Sequence, residues 1–458
     1  MVFSFQHGDR PAPNVKGSRS PILGMNGMVA TSQPLASAAA LRVLQDGGNA
    51  VDAAITAAAV LNVVEPMMTG IGGDMFALVY MQQDGKPAGL NGSGWAGSKA
   101  TLDFFNSRHI LDMPSSGMHA VSVPGAVAGW YKLHGKYGKL PMSRILAPAI
   151  EYAEKGFPVS DIIAAQWQRS EPALRRTPDA ARDLLVDGRT PRHGEVFKMP
   201  ELARTLKRIA GGGRDVFYKG EIAKKLAFAD RDAYIADPDK VRVPVSRLIS
   251  KDYAAERRKL IDKNRAMPVA KPGISENGDT VYLTVVDKDR NAVSFINSLF
   301  ASFGSGLVAG DTGIVLHNRG ALFQLDGKHP NVIAPRKRPF HTLIPAMVLK
   351  EGKPFFSFGV MGGDMQPQGH VQVLVNLIDF GMDAQQAGEA PRFRHGNGSV
   401  ALESAFAVDV RSGLTRKGHN LIDAIDAWGG YQGILIDPRT GVLIGGSDPR
   451  KDGLAIGW

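Results

Sequence analysis

Near residue 279 the hydrophobic pattern of this chain changes period, and that change limits the folds open to it. Residues 280–286 (TVYLTVV) are rich in β-branched and aromatic side chains. Residues 287–291 (DKDRN) have turn composition, and residues 292–298 (AVSFINS) form a second strand-like run. Further strands are expected at Thr342–Leu349, Phe355–Gly359, Ile434–Asp437 and Val442–Gly445, with a helix at His370–Phe380.

Upstream the pattern is helical. Ser32, Gln33 and Pro34 open a helix with Leu35, Ala39, Val43 and Leu44 on one face, closed by Gly47 and Gly48. Asn49 caps a second helix through Val51, Ile55, Ala58 and Leu61, ending near Pro66. Both are Ala-rich and can pack closely on a sheet or on each other. A glycine loop at 69–74 (TGIGGD) leads into a strand at Met75–Tyr80, and residues 122–225 read as mostly helical. Residues 251–277 are basic and polar, with Pro268, Pro272 and Gly273, and read as an exposed, mobile linker. A helix-rich part followed by a strand-rich part predicts layered α and β rather than a doubly wound sheet.

The hairpin carries a geometric argument. If the turn is Asp287–Asn291, Val286 pairs with Ala292 and Thr280 stands opposite Ser298, with Cβ atoms about 4.5–5.5 Å apart. A two-residue turn at Lys288 and Asp289 shifts this register by one. A facing Thr and Ser are ordinarily only a cross-strand hydroxyl pair. The position of Thr280, between a polar linker and a core-like strand, raises the chemical reading.

Composition removes several alternatives. The chain of 458 residues has no cysteine, which excludes disulfides, thiolate metal sites and cysteine nucleophiles. Its net charge of +10 raises nucleic acid as a partner. The basic residues are scattered, however, with mild clusters at Arg204–Lys225 and Arg257–Arg265, so solvated surface charge is expected. The apolar run 53–64 is too short for a membrane span, and the start of the chain lacks a secretory pattern, so a cytoplasmic protein is expected. There is no H-E-x-x-H. Asp287, Asp289 and Asn291 mimic the start of a calcium loop, but Ala292 and Ser298 stand where Gly and Glu are needed. No G-x-S-x-G occurs, and neither Gly-rich loop carries the Lys of a phosphate loop. Neither a metal nor a cofactor is expected.

Several ordered blocks resemble the gamma-glutamyltranspeptidase family over most of the chain. They are GMVATSQPLASAAALRVLQDGGNAVDAA, GIGGDMF, GDTVYLTVVDKDRNAVSF, FGSGLVAGDTGIVLHN, RPFHTLIPAM, GVMGGD and APRFRHG. The resemblance implies an N-terminal nucleophile hydrolase with an α+β fold, a four-layer αββα sandwich. It implies a precursor that cleaves its own Asp279–Thr280 bond, leaving residues 1–279 and 280–458 associated as one domain. Thr280 becomes the nucleophile and its freed amine the base. By the same resemblance Ser298 is the second hydroxyl residue, and the backbone N–H groups of Gly362 and Gly363 form the oxyanion hole.

The chain departs from the family around the substrate. Ser93 stands in the place of an arginine, Phe300 of an asparagine and Leu322 of an acid, while His341 and Thr342 replace paired serines. Losing a buried arginine fork weakens recognition of a glutamyl group. Asn318, Arg319 and Gly320, then His329 to Asn331, then residues 337–342 (KRPFHT) are similar to the subgroup that includes oxamate amidohydrolase. The expected substrate is a small acidic amide held by Arg319, with His341, Thr342 and Ser93 lining the pocket. A block that normally supplies strand and helix is missing near 223–224. Two alternatives stand beside this reading: a gamma-glutamyl hydrolase or transferase acting on glutathione, and a non-catalytic homologue. Whether the chain forms a homo-oligomer is left open.

Overall fold

The computed structural model describes residues 18–219, 222, 250–258, 262, 264–266, 279–396, 398–424 and 429–458. Two antiparallel sheets form its centre. The six-stranded sheet runs in the order β16 (Leu454–Gly457), β2 (Met28–Thr31), β7 (Asp279–Val286), β8 (Ala292–Phe300), β3 (Asp74–Met81) and β4 (Lys86–Gly92). The five-stranded sheet runs β1 (Ile22–Gly24), β15 (Leu443–Ser447), β14 (Tyr431–Ile436), β10 (Lys353–Val360) and β9 (Ala346–Lys350). Two small sheets lie apart: β5 (Phe157–Pro158) with β6 (Val196–Phe197), and β11 (Phe393–Gly396), β12 (Ser399–Leu402) and β13 (Leu421–Asp423).

Burial explains why β7 and β8 are so apolar. Every residue of β8 is buried, because helices cover one face of its sheet and the five-stranded sheet covers the other. Thr284 of β7 and Ser357 of β10 share a hydrogen bond of 2.7 Å between the sheets. On the opposite face lies α2 (Ala50–Val64), in which every residue is buried. Its alanines let it touch the sheet, α1 (Pro34–Gln45) and the helix Met142–Lys155 at once. The helices Met365–Ile378 and Ala384–Glu389 pack on the five-stranded sheet.

Capping fixes where α2 begins. Asn49 Oδ1 accepts from the N–H groups of Val51 and Asp52, and Asp52 returns a bond to the Asn49 N–H. Asp287, in the β7–β8 turn, adds a tertiary cap. Its carboxylate accepts from Ala50 N at 3.0 Å, as well as from Asp289 N, Asn291 N and Asn291 Nδ2 within its own turn. This is a hairpin turn locked to a helix start.

Three expectations need correction. The strand expected at Thr342–Leu349 begins only at Ala346, because Pro345 has no N–H for a ladder and Ile344 N donates to Gln366 Oε1 instead. The helix expected at His370 begins at Met365; Pro367 lies in its first turn, where a missing N–H costs nothing. Within the segment expected to be a linker, Lys251–Arg258 is a helix. Ala254, Ala255 and Glu256 favour that state, and Asp252 suits its first turn. The remainder of that segment is mostly outside the described residues, as is the position near 223–224.

Candidate active site

Thr280 is the second residue of β7 and only 2% exposed. The β7–β8 ladder pairs Val286 with Ala292 and continues regularly to Val281 with Asn297, then shifts, so that Asp279 pairs with Phe300. Thr280 therefore faces a β-bulge in which Ser298 and Leu299 together oppose it. Its Oγ1 lies 3.1 Å from Ser298 Oγ. Ser298 Oγ also accepts from the Phe300 N–H at 2.8 Å, across a Phe300 backbone in the left-handed region at φ +77°. Gly73 supports the bulge from behind. A Cβ there would sit 2.2 Å from the Ser298 carbonyl oxygen, so only glycine lets the loop before β3 approach so closely.

Gly362 and Gly363 join β10 to the helix Met365–Ile378. Both hold positive φ, +114° and +53°, and a Cβ on Gly362 would lie 2.8 Å from Gly429 Cα. Their position relative to Thr280 follows from the packing of the two sheets. Ser357 meets Thr284, and Gly359 lies against the ring of Tyr282. Stepping along β10 toward Gly362 thus steps back along β7 toward Thr280.

A buried charge cluster flanks the hydroxyl pair. Asp74 begins β3 directly across from Ser298, and its carboxylate takes the fork of Arg319, Nε to Oδ2 at 3.1 Å and Nη2 to Oδ1 at 3.3 Å. Both side chains are fully buried. Arg319 Nη1 donates to Thr342 Oγ1 at 3.4 Å, and its guanidinium carbon lies 4.6 Å from the Phe300 ring centroid. Arg319 therefore spends its fork on Asp74, where the sequence offered it to a substrate acid. His341 packs its ring on Phe76 at 4.1 Å between centroids. Burial, then the Arg319 charge, lower its pKa to about 4, and its buried Nδ1 has no protein partner. Ser93 follows β4. Its hydroxyl bonds Asn91 Oδ1, and its carbonyl accepts from Arg338 Nε at 3.1 Å.

The structure thus brings Thr280 and Ser298 into contact, joins Arg319 to Thr342, and places His341 and Ser93 along the same sheet end. Among the described residues, no group of three or more His, Asp or Glu is placed to hold a metal ion. The family model described as Gamma-glutamyltranspeptidase matches residues 36–227 and 224–458. The chain belongs to the gamma-glutamyltranspeptidase family. It is 33% identical over 527 residues to the glutathione hydrolase-like YwrD proenzyme of Bacillus subtilis (strain 168), covering 95% of this chain and 99% of that one. It is 34% identical over 530 residues to the oxamate amidohydrolase proenzyme of Klebsiella pneumoniae, covering 94% and 98%. The solved structure of a cephalosporin acylase from Bacillus halodurans matches with a TM-score of 0.90 at 36% identity, covering 100% of this chain and 99% of that one. This gamma-glutamyltranspeptidase homologue also holds one site residue that sequence reasoning missed, Asp74. Its signal was an acid at the head of a buried strand, which demands a buried cation.

Proposed function

We propose that this member of the family is an autoprocessed amidohydrolase acting through Thr280 on a small acidic amide of the oxamate kind. The observation that carries the proposal is the Thr280 hydroxyl, buried, 3.1 Å from Ser298 and one residue beyond Asp279 at the start of a core strand. In maturation Thr280 Oγ1 attacks the Asp279 carbonyl carbon. The amide C–N bond breaks, the nitrogen takes the hydroxyl proton, and an ester joins Asp279 to Oγ1. Water hydrolyses that ester and leaves residues 1–279 and 280–458. The new α-amine, with a pKa of about 7.7–8, is partly neutral at pH 7 and serves as base for its own hydroxyl. Attack on the substrate amide then breaks its C–N bond and yields an acyl-enzyme and ammonia, whose nitrogen takes the hydroxyl proton by way of the α-amine, and water releases the acid.

Ser298 holds the Thr280 hydroxyl in line, and the N–H groups of Gly362 and Gly363 receive the oxyanion. Arg319, matched by Asp74, acts on the substrate indirectly, through Phe300 and Thr342. The facing sheets with helices outside them support an αββα layering for the two fragments together. The two matched ranges meeting at 224–227 support a missing block at that point.

Intact-mass spectrometry tests maturation. Purified protein should contain a chain beginning TVYLTVV, and Thr280→Ala should give only the 49.0 kDa precursor. An uncut wild-type chain would remove the proposal. Oxamate turnover exceeding that of a gamma-glutamyl anilide is expected; the reverse order would return the reading to a glutathione hydrolase.

A further inference from the structure

The peptide planes at Gly362 and Gly363 are fixed from the helix that follows them. The Gly362 carbonyl accepts from Met365 N at 3.0 Å, and the Gly363 carbonyl accepts from Gln366 N at 3.1 Å. In a trans peptide the next N–H points opposite to the carbonyl. Turning the Gly362 carbonyl into the helix therefore turns the Gly363 N–H away from it. Gly363 is buried, and its N–H donates to no protein group among the described residues.

Gln366 also reaches beyond this turn. It is fully buried, and its Oε1 accepts from Ile344 N at 3.0 Å. Its Nε2 has no protein partner, so the acceptor half of the amide is the half in use. Ile344 is one end of a short bridge. At the other end Thr342 Oγ1 accepts from Arg319 Nη1. Arg319 lies on the ring of Phe300, and the Phe300 N–H donates to Ser298 Oγ. Between the two ties, Leu343 packs with Tyr282, Ile296 and Met361. Tyr282 stands two residues past Thr280 in β7, and Met361 directly precedes Gly362. Thr342 to Ile344 thus spans from the sheet that carries the hydroxyl pair to the turn that carries the glycine pair. It is tied at both ends and wedged in the middle. Pro345 has no N–H for a ladder, so the bridge lies outside β9 and takes its place from these side-chain contacts.

We propose that Gln366 is a positioning residue: it holds this bridge against the Gly362–Gly363 turn and so sets the reach from the Thr280 hydroxyl to the oxyanion donors. This rests on Thr280 being the nucleophile and on the two glycines supplying those donors. Such donors act within about 2.7–3.1 Å of the oxyanion, and a displacement of about 1 Å can cost on the order of 100-fold in rate. The demand arises in the transition state, so the loss belongs in kcat and not in KM.

The test uses intact-mass analysis and oxamate kinetics together. Gln366→Met keeps the length of the side chain and removes its acceptor. It should mature, with kcat lowered about 30-fold and KM within about threefold of wild type. Gln366→Asn keeps the amide but shortens its reach by one methylene, and should show the same kcat-only loss; it decides the matter if Gln366→Met does not fold. Thr342→Val cuts the other tie. Combined with Gln366→Met it should lose far less kcat than the product of the two single losses, because either cut frees the same bridge. An unchanged kcat, a loss carried by KM, or single losses that multiply in the double variant overturns the assignment. Wild type that neither matures nor turns over an amide removes the hydrolase reading and this role with it. Wild type that does both, beside Gln366 variants that match it, removes this role alone.

Discussion

Phe300 holds a left-handed backbone that a bulky residue avoids, at a cost of about 1–3 kcal/mol. The fold has a use for that conformation, since it aims the Phe300 N–H at Ser298 Oγ, and Arg319 lies on the ring that results. Asp74 in turn holds Arg319 by two bonds. The chain of contacts Asp74, Arg319, Phe300, Ser298, Thr280 ties a buried ion pair to the candidate nucleophile. Asp74→Asn leaves the buried guanidinium without a counter-charge and should destabilise the protein by about 3–5 kcal/mol in urea unfolding. Replacing both partners by apolar residues, Asp74→Leu with Arg319→Met, should recover most of that loss. A single-variant loss below about 1 kcal/mol would mean that the pair is not an anchor. Only the Thr280–Ser298 contact among these was legible in the sequence, where Arg319 reads equally well as a substrate ligand.

At the scale of elements, the β7–β8 turn and the start of α2 are one construction. Asp287 closes its own turn through Asp289 and Asn291 and also accepts the first N–H of α2. The sequence shows the turn, because the spacing of Asp287, Asp289 and Asn291 lies between two β runs. It does not show the helix cap, because Ala50 is distant along the chain. Asp287→Ala should cost about 3 kcal/mol, since it leaves several buried donors without an acceptor. Asp287→Asn, which retains one acceptor oxygen, should cost less. Equal losses from the two variants would argue against the cap. The bulge at Thr280 is likewise a tertiary product: a regular register brings Thr280 to Ser298, but Gly73 against the Ser298 carbonyl accompanies the shift beyond it.

For the molecule as a whole, burial makes stability depend on pH. Histidine ordinarily titrates near 6.5, and burial lowers His341 and His370 to about 4. Between those values the unfolded chain binds protons that the folded one refuses. Stability is therefore full above pH 6.5 and declines as pH falls toward 4. Two such groups, at about 1.4 kcal/mol per pH unit each, remove on the order of 3 kcal/mol between pH 6.5 and 5. Thermal unfolding of Thr280→Ala, kept as one chain, should show Tm falling over that interval, and adding His370→Gln should flatten the fall. A Tm independent of pH from 7 to 5 would contradict this.

The sequence by itself determined most of the elements and the family. The period change at 279, the Ala-rich α2, the turn at Asp287–Asn291 and the ordered motif blocks are local patterns, and local patterns survive in a linear string. Only the tertiary structure decided which charges meet. Asp74 and Arg319 lie far apart along the chain, as do Ser93 and Arg338, and each pair forms because strands and loops from different parts of the chain end side by side. A guanidinium buried on an acid, as in Arg319, and one that donates to a backbone carbonyl, as in Arg338, are the same residue type in sequence. Burial and the identity of the neighbour separate them, and both are properties of the folded chain.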